Sequence, residues 1–187
     1  MDRYEESDLC KLPGEGEKTA SDMVIKARAR DMGGDFSVME GVIEAKALLA
    51  PHTHKFEDQL IYIITGEVGM EVGGEGGMVF TAPAGSYVQK PRGIMHAFWN
   101  PTDEPVRYME LSGRSGFEGF VDSKANGDLY AMSHAEDDWG MMVHPKDTIR
   151  LMKEHNLSSV AMMDLKNLIK APEVPTKVKD FFSKLKG

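Results

Sequence analysis

Residues 51–66 of this chain read PHTHKFEDQLIYIITG, and residues 85–100 read GSYVQKPRGIMHAFWN. In the first stretch, His52 and His54 stand two positions apart, just before an apolar run that ends at Thr65-Gly66. Side chains at i and i+2 of an extended chain point to the same side, so both imidazoles can reach one ion. In the second stretch a third histidine, His96, lies on a later apolar segment. The three histidines are therefore candidate ligands of one metal ion.

The residues around these histidines have a spacing that resembles the two sequence motifs of the cupin superfamily. The first motif is histidine, one residue, histidine, three or four residues, glutamate, six residues and glycine. His52, His54, Gln59 and Gly66 follow it, with glutamine in the place of glutamate. The second motif has glycine, proline, glycine, histidine and asparagine, and it is matched without a gap by Gly85, Pro91, Gly93, His96 and Asn100. The resemblance covers residues 22–113 and implies an all-β fold, a double-stranded β-helix or jelly-roll barrel with a metal inside near one mouth.

The pattern of the intervening residues independently favours many short strands. Val68, Met70 and Val72 alternate with other residues before a glycine-rich turn at residues 73–77, which is typical of a hairpin. Residues 36–49 predict one or two strands, because Gly41 and the β-branched pair Val42-Ile43 disfavour a helix. Short strands at nearly even spacing indicate a sandwich or a barrel.

The chain divides into three predicted regions. Residues 1–21 are polar and form an N-terminal arm, residues 22–113 form the barrel, and residues 114–187 form a helical C-terminal extension. In the extension Asp147 can cap a helix that runs through His155. A second amphipathic stripe consists of Val178, Phe181, Phe182 and Leu185 at helical spacing. Residues 116–120 and 147–157 resemble the tail of single-domain bacterial cupins that are often labelled quercetin-dioxygenase-like.

The composition of the chain limits which binding partners and which cellular location we expect. The chain has 187 residues, of which 41% are hydrophobic, enough for one packed domain. Its formal net charge of -8 argues against nucleic acid and anionic lipid as partners. Cys10 is the only cysteine, so no internal disulfide forms, and the charged residues 1–18 do not resemble a signal peptide. The longest apolar run, Leu60–Ile64, has five residues, so we expect no membrane span and a cytoplasmic location.

The fourth metal ligand is the open question of the site. Gln59 can coordinate through its amide oxygen, but it is neutral and would leave the charge of a divalent ion at +2, where glutamate would leave +1. We therefore expect weaker metal retention, a stronger Lewis acid and a preference for an anionic substrate. Asp58, which satisfies the shorter motif spacing, or Glu57 can take this place instead, and a site of three histidines alone is the remaining alternative.

The resemblance implies one divalent transition metal ion, which in cupins is iron, manganese, nickel, zinc or copper. The first functional prediction is a metal-dependent dioxygenase that acts on a small enolic or aromatic compound. The alternatives are a metal-dependent lyase, isomerase or cyclase, and a small-molecule-binding cupin without catalysis. Tyr62 and Phe98 are candidates to line the substrate pocket, and no residue is assigned as a catalytic acid or base. We expect a homodimer, because exposed sheet edges need cover and similar proteins are commonly dimers.

Overall fold

The computed structural model describes residues 5–19, 21, 23–114, 116–123 and 134–160. Within these ranges the chain forms twelve strands and a few short helices. The strands are β1 (Glu17–Lys18), β2 (Val24–Ala27), β3 (Phe36–Ile43), β4 (Ala47–His54), β5 (Gln59–Thr65), β6 (Glu67–Val72), β7 (Met78–Pro83), β8 (Tyr87–Lys90), β9 (His96–Trp99), β10 (Val106–Gly113), β11 (Met141–Val143) and β12 (Ser159–Val160). The α-helices are α1 (Glu6–Leu9), α2 (Gly116–Ser123), α3 (Ala135–Trp139) and α4 (Pro145–Glu154), and residues Ala29–Met32 form a 3-10 helix.

The strands assemble into two sheets. One has the order β1-β2-β3-β10-β5-β8 and the other the order β11-β4-β9-β6-β7, with β12 pairing in parallel with β4. Strands that are distant in sequence are neighbours in both sheets, as in β3–β10–β5 and β4–β9–β6, which is the connectivity of a jelly roll. The all-β, double-stranded β-helix prediction is therefore confirmed.

The core lies between the two sheets and follows the alternation of each strand. Ile61 and Ile63 of β5 face Met70 of β6 and Phe98 of β9, and all four side chains are fully buried. Burying one side chain of this size stabilises the folded state by roughly 1.5–3 kcal/mol. The interior of the barrel is thus a packed apolar layer except at the end that carries the histidines.

Two glycines of the sequence motifs stand where the backbone requires them. Gly66 follows β5 with a φ of 76°, and Gly93 lies in the loop before β9 with a φ of 75°. Both values fall in the left-handed region, which side chains with a Cβ disfavour. The motif glycines therefore fix the turns that deliver the neighbouring strands to the barrel.

The C-terminal extension is helical, as predicted, but it also adds two strands to the barrel. β11 pairs with residues 52–54 of β4, and β12 pairs with Ala47 and Leu48. These strands have three and two residues, too few for a period of two to be visible in the sequence. The helix predicted to follow an Asp147 cap begins three residues earlier, at Pro145, which suits the first turn of a helix. The residue at the cap position is His144, and Asp147 lies within the first turn.

Helix α4 covers the outer face of the sheet that carries the histidines. Its Leu151 is fully buried against Leu48, Ala97 and Trp99. Arg150 of the same helix donates to the buried carboxylate of Glu71 on β6 at 2.9 Å. The extension therefore supports β4 and β9 from behind.

A buried arginine joins the arm and the extension. Arg28 donates to Glu118 and Asp122 of α2 at 3.0 and 2.7 Å, and to Glu17 of β1 at 2.7 Å.

The predicted amphipathic stripe of the extension, Val178, Phe181, Phe182 and Leu185, lies outside the residues that the structure describes. In the described part of the chain, no helix has the length and apolar character needed to cross a membrane.

Candidate metal centre

The three histidines lie on two neighbouring strands of one sheet. Leu49 of β4 pairs with Phe98 of β9, and His52 pairs with His96, so three steps along β4 match two along β9. This is a β-bulge, and its extra residue re-aims the side chains that follow it. Leu49 and Phe98 belong to the core between the sheets. The bulge therefore turns His52 and His54 into the barrel interior, beside His96.

The imidazoles converge as metal ligands do. One ring nitrogen of each histidine lies within 4.8 Å of the others. Among the described residues, this is the one group of histidine, cysteine or carboxylate side chains that converges in this way. His52 Nε2 and His96 Nε2 are 3.2 Å apart. Two nitrogens that each lie about 2.1 Å from one ion, at an angle of about 100°, are about 3.2 Å apart. The pair has the spacing of two adjacent ligands.

Acceptors on the outer side of the rings orient them. His52 Nδ1 lies 2.7 Å from the carbonyl oxygen of Ala50, and His96 Nδ1 lies 3.1 Å from that of Ile94. A carbonyl only accepts, so each Nδ1 carries the proton and each Nε2 presents a lone pair. Two lone pairs that face each other at this distance repel unless a cation lies between them. The residues therefore fit a bound divalent ion.

His54 has a carboxylate beside it. Its Nδ1 lies 3.4 Å from Glu57 Oε2, and neither of its buried ring nitrogens has a hydrogen-bond partner in the described structure. Glu57 also accepts the backbone N–H groups of Gly116 and Phe117 at the start of α2. The Phe117 ring packs edge-on against His54, with 5.4 Å between ring centroids. Glu57 therefore links the extension to one of the three histidines, and we expect it to help hold that ring in place.

Burial keeps the three rings uncharged. His52, His54 and His96 are 7%, 1% and 1% exposed. Desolvation lowers the pKa of His54 to about 3 and the pKa values of His52 and His96 well below their usual range. The positive charge of Lys90 acts in the same direction on all three pKa values. The histidines are thus neutral at physiological pH, the state that binds metals.

The candidates for a fourth ligand lie in different environments. Gln59 is buried, its Nε2 donates to Ser112 Oγ at 3.2 Å, and its Oε1 has no hydrogen-bond partner among the described residues. Asp58 points to solvent, with 58% of its side chain exposed, and pairs with Arg92. The Glu57 carboxylate is engaged by α2. Of the three, Gln59 offers a free oxygen inside the barrel.

Sequence reasoning missed a polar wall on the opposite sheet. Gln59 of β5 pairs with Lys90 of β8 on one side and with Ser112 of β10 on the other, so the three lie in one row. Lys90 and Glu110 are 1% and 2% exposed, and Lys90 Nζ lies 3.1 Å from Glu110 Oε2. Burial lowers the pKa of Lys90 and raises the pKa of Glu110. The alternation of Val106, Tyr108, Glu110 and Ser112 along β10 is the signal that could have placed Glu110 inside.

The two predicted pocket residues lie on different faces. Phe98 is fully buried on the same side of β9 as His96, and Lys90 Nζ lies 5.2 Å from its ring centroid. Tyr62 alternates with the buried residues of β5 and therefore lies on the outer face of its sheet, where its ring contacts Tyr87. The structure brings Phe98, but not Tyr62, to the side of the histidines.

Comparison with known proteins agrees with this fold. A model of the Cupin domain matches residues 39–112, which identifies this part of the chain as a cupin domain. A search of curated proteins finds no match to the sequence.

Three solved structures illustrate the similarity of fold. KdgF from Halomonas sp. is 20% identical, covers 49% of this chain and 76% of its own, and has a TM-score of 0.44. The cupin domain of Schizosaccharomyces pombe Cnp3 is 17% identical, with coverages of 64% and 82% and a TM-score of 0.46. A predicted oxalate decarboxylase from Thermotoga maritima is 18% identical, with coverages of 49% and 78% and a TM-score of 0.43.

Proposed function

We propose that this protein is a metal-dependent enzyme that acts on a small enolic compound at the histidine centre, with a dioxygenase as the first candidate. The observation that supports the proposal is the convergence of three neutral, buried imidazoles, His52, His54 and His96, on one point inside the barrel. A divalent ion held there would act as a Lewis acid towards substrate oxygens and, if redox-active, would supply oxygen chemistry.

The protein's own residues set the charge and shape of the site. No member of the converging group carries a negative charge, and the nearby amide of Gln59 is neutral. An anion such as an enolate is therefore the ligand that best offsets the charge of the centre. Phe98 gives the interior an apolar surface for the carbon skeleton, and Phe117 shields His54 from solvent.

A second candidate is a lyase, isomerase or cyclase. The buried pair Lys90 and Glu110 supports it, because an ammonium and a carboxylate on the wall opposite the histidines can hold and deliver protons. An oxygenase has no evident need for such a pair. A cytoplasmic location and assembly as a homodimer are also part of this proposal.

Activity measurements on reconstituted protein separate these functions. Metal-free protein would be loaded with Fe(II), Cu(II) or Zn(II) and offered flavonols, β-diketones, catechols and 2-oxo acids in an oxygen electrode. The dioxygenase candidate predicts substrate-dependent O₂ uptake by the iron or copper form. Turnover by the zinc form under nitrogen favours the second candidate, and tight binding without turnover under any metal indicates a binding protein.

The control variants differ in which histidines they remove. His52→Ala combined with His54→Ala should abolish turnover together with metal content. His155→Gln, which removes a histidine stacked on Trp99 outside the site, should retain both.

A further inference from the structure

The ammonium group of Lys90 has fewer partners than it can bind. An ammonium donates three hydrogen bonds. Within the described residues, Glu110 Oε2 is the acceptor that the structure gives it, and the other close contact is the face of the Phe98 ring. The side chain is 1% exposed, so bulk water does not take the remaining donors.

Two acceptors on the same wall are also unpartnered. Glu110 Oε1 and Gln59 Oε1 are buried and make no hydrogen bond in the described part of the chain. Buried polar atoms without partners destabilise a protein. A buried ion pair is moreover often no more stabilising than apolar side chains of the same size. Two unpartnered oxygens beside an ammonium with a single acceptor indicate a wall whose hydrogen bonds a polar ligand can complete.

The position of this wall relates the ligand to the metal centre. Lys90 stands beside Gln59 in the sheet that faces β4 and β9, and its charge acts on all three histidines. Facing sheets pack about 10 Å apart, and side chains fill most of that distance, so a ligand between them must be small. One end of the ligand would face Lys90, and the other end would face the histidines.

We propose that Lys90 anchors the carboxylate of the substrate, which makes the substrate class a short oxo or hydroxy acid. The carboxylate accepts the free N–H groups of Lys90, and a hydroxyl or enol group of the same molecule donates to Glu110 Oε1. The methylene carbons lie along Phe98. This inference rests on the proposed function, because it assigns the substrate of that same site.

Calorimetric binding to zinc-loaded protein tests the inference, with pyruvate as the charged probe and methyl pyruvate as its uncharged counterpart. The wild type should bind pyruvate more tightly than the ester. Lys90→Met should weaken pyruvate binding by about 10- to 100-fold, the value of a hydrogen bond to a charged group. The variant should weaken ester binding far less, and it should still hold zinc. Lys153→Met, which removes the same charge from an exposed position of α4, should bind pyruvate as the wild type does.

Two further variants keep the test decisive if Lys90→Met does not fold. Lys90→Arg retains the cation and should retain pyruvate binding. Lys90→Met combined with Glu110→Gln leaves no unpaired buried charge, and should fold, hold zinc and lose the preference for pyruvate over its ester.

The outcomes distinguish this inference from the proposed function. Zinc-loaded wild type that binds both probes equally, or Lys90→Met that binds pyruvate as tightly as the wild type, overturns the carboxylate anchor and leaves the metal site standing. Protein that holds no zinc overturns both.

Discussion

Acidification should destabilise the metal-free protein through its three buried histidines. In the unfolded chain a histidine has a pKa of about 6.5. In the folded protein burial lowers the pKa of His54 to about 3, and those of His52 and His96 well below the usual range. The unfolded state therefore takes up protons first as the pH falls. The stability that these groups contribute is present above about pH 6.5 and is lost as the pH falls towards the folded pKa values.

The magnitude between pH 7 and pH 6 follows from these values. A histidine that stays neutral when folded and titrates at 6.5 when unfolded contributes about 0.7 kcal/mol over this interval. Three such histidines contribute about 2 kcal/mol, a large part of the 5–15 kcal/mol that is typical of a domain. Burial raises the pKa values of Glu57 and Glu110, so acidification stabilises the folded state through these two groups and offsets part of this sum.

Urea denaturation followed by circular dichroism, in chelator at pH 6.0, 6.5, 7.0 and 7.5, measures the effect. At an m-value of about 2 kcal/mol/M, the midpoint should fall by up to about 1 M between pH 7 and pH 6. His54→Gln should remove about a third of this pH dependence. Stability that stays constant or rises as the pH falls from 7 to 6 would refute the reasoning, and so would a His54→Gln variant that keeps the whole slope.

Three further predictions concern the fourth ligand, the contact between Glu57 and His54, and the assembly. Gln59→Glu should raise zinc affinity in a chelator competition at neutral pH, because a charged ligand replaces a neutral one; unchanged affinity would mean that residue 59 does not contact the ion. Glu57→Gln should lower zinc affinity by about 10- to 100-fold, because the carboxylate that orients His54 is lost, whereas Asp58→Asn at the exposed neighbour should not; equal effects of the two would contradict the positioning role. Light scattering at tens of micromolar protein should report a homodimer, and a monomer would contradict that proposal.

The motifs predicted the histidine centre because spacing along a strand determines which side chains share a face. His52 and His54 are two residues apart, and the register of β4 and β9 places His96 directly opposite His52. The bulge after Leu49 could not be predicted, since it depends on how two strands pair rather than on either sequence alone. Without it, strict alternation would place Leu49 and the two histidines on opposite faces of β4.

The polar wall escaped prediction for a different reason. A lysine next to a proline and a glutamate within a strand are ordinarily solvated, so Lys90 and Glu110 did not stand out as interior residues. Alternation alone would have placed both inside, had the buried face of each strand been known. Tyr62 was predicted to line the pocket but lies on the outer face. An aromatic residue on a strand can lie on either face, and only the inward position of Gln59, three residues before it, places Tyr62 outside.

Metal content per chain tests the central claim most directly. Protein reconstituted with one divalent metal, passed over a desalting column and analysed by mass spectrometry of the elements should hold close to one ion per chain. His52→Ala combined with His54→Ala should hold almost none, while its circular dichroism spectrum still shows the β-barrel. A double variant that retains the full metal content would contradict the assignment of His52, His54 and His96 as the metal centre.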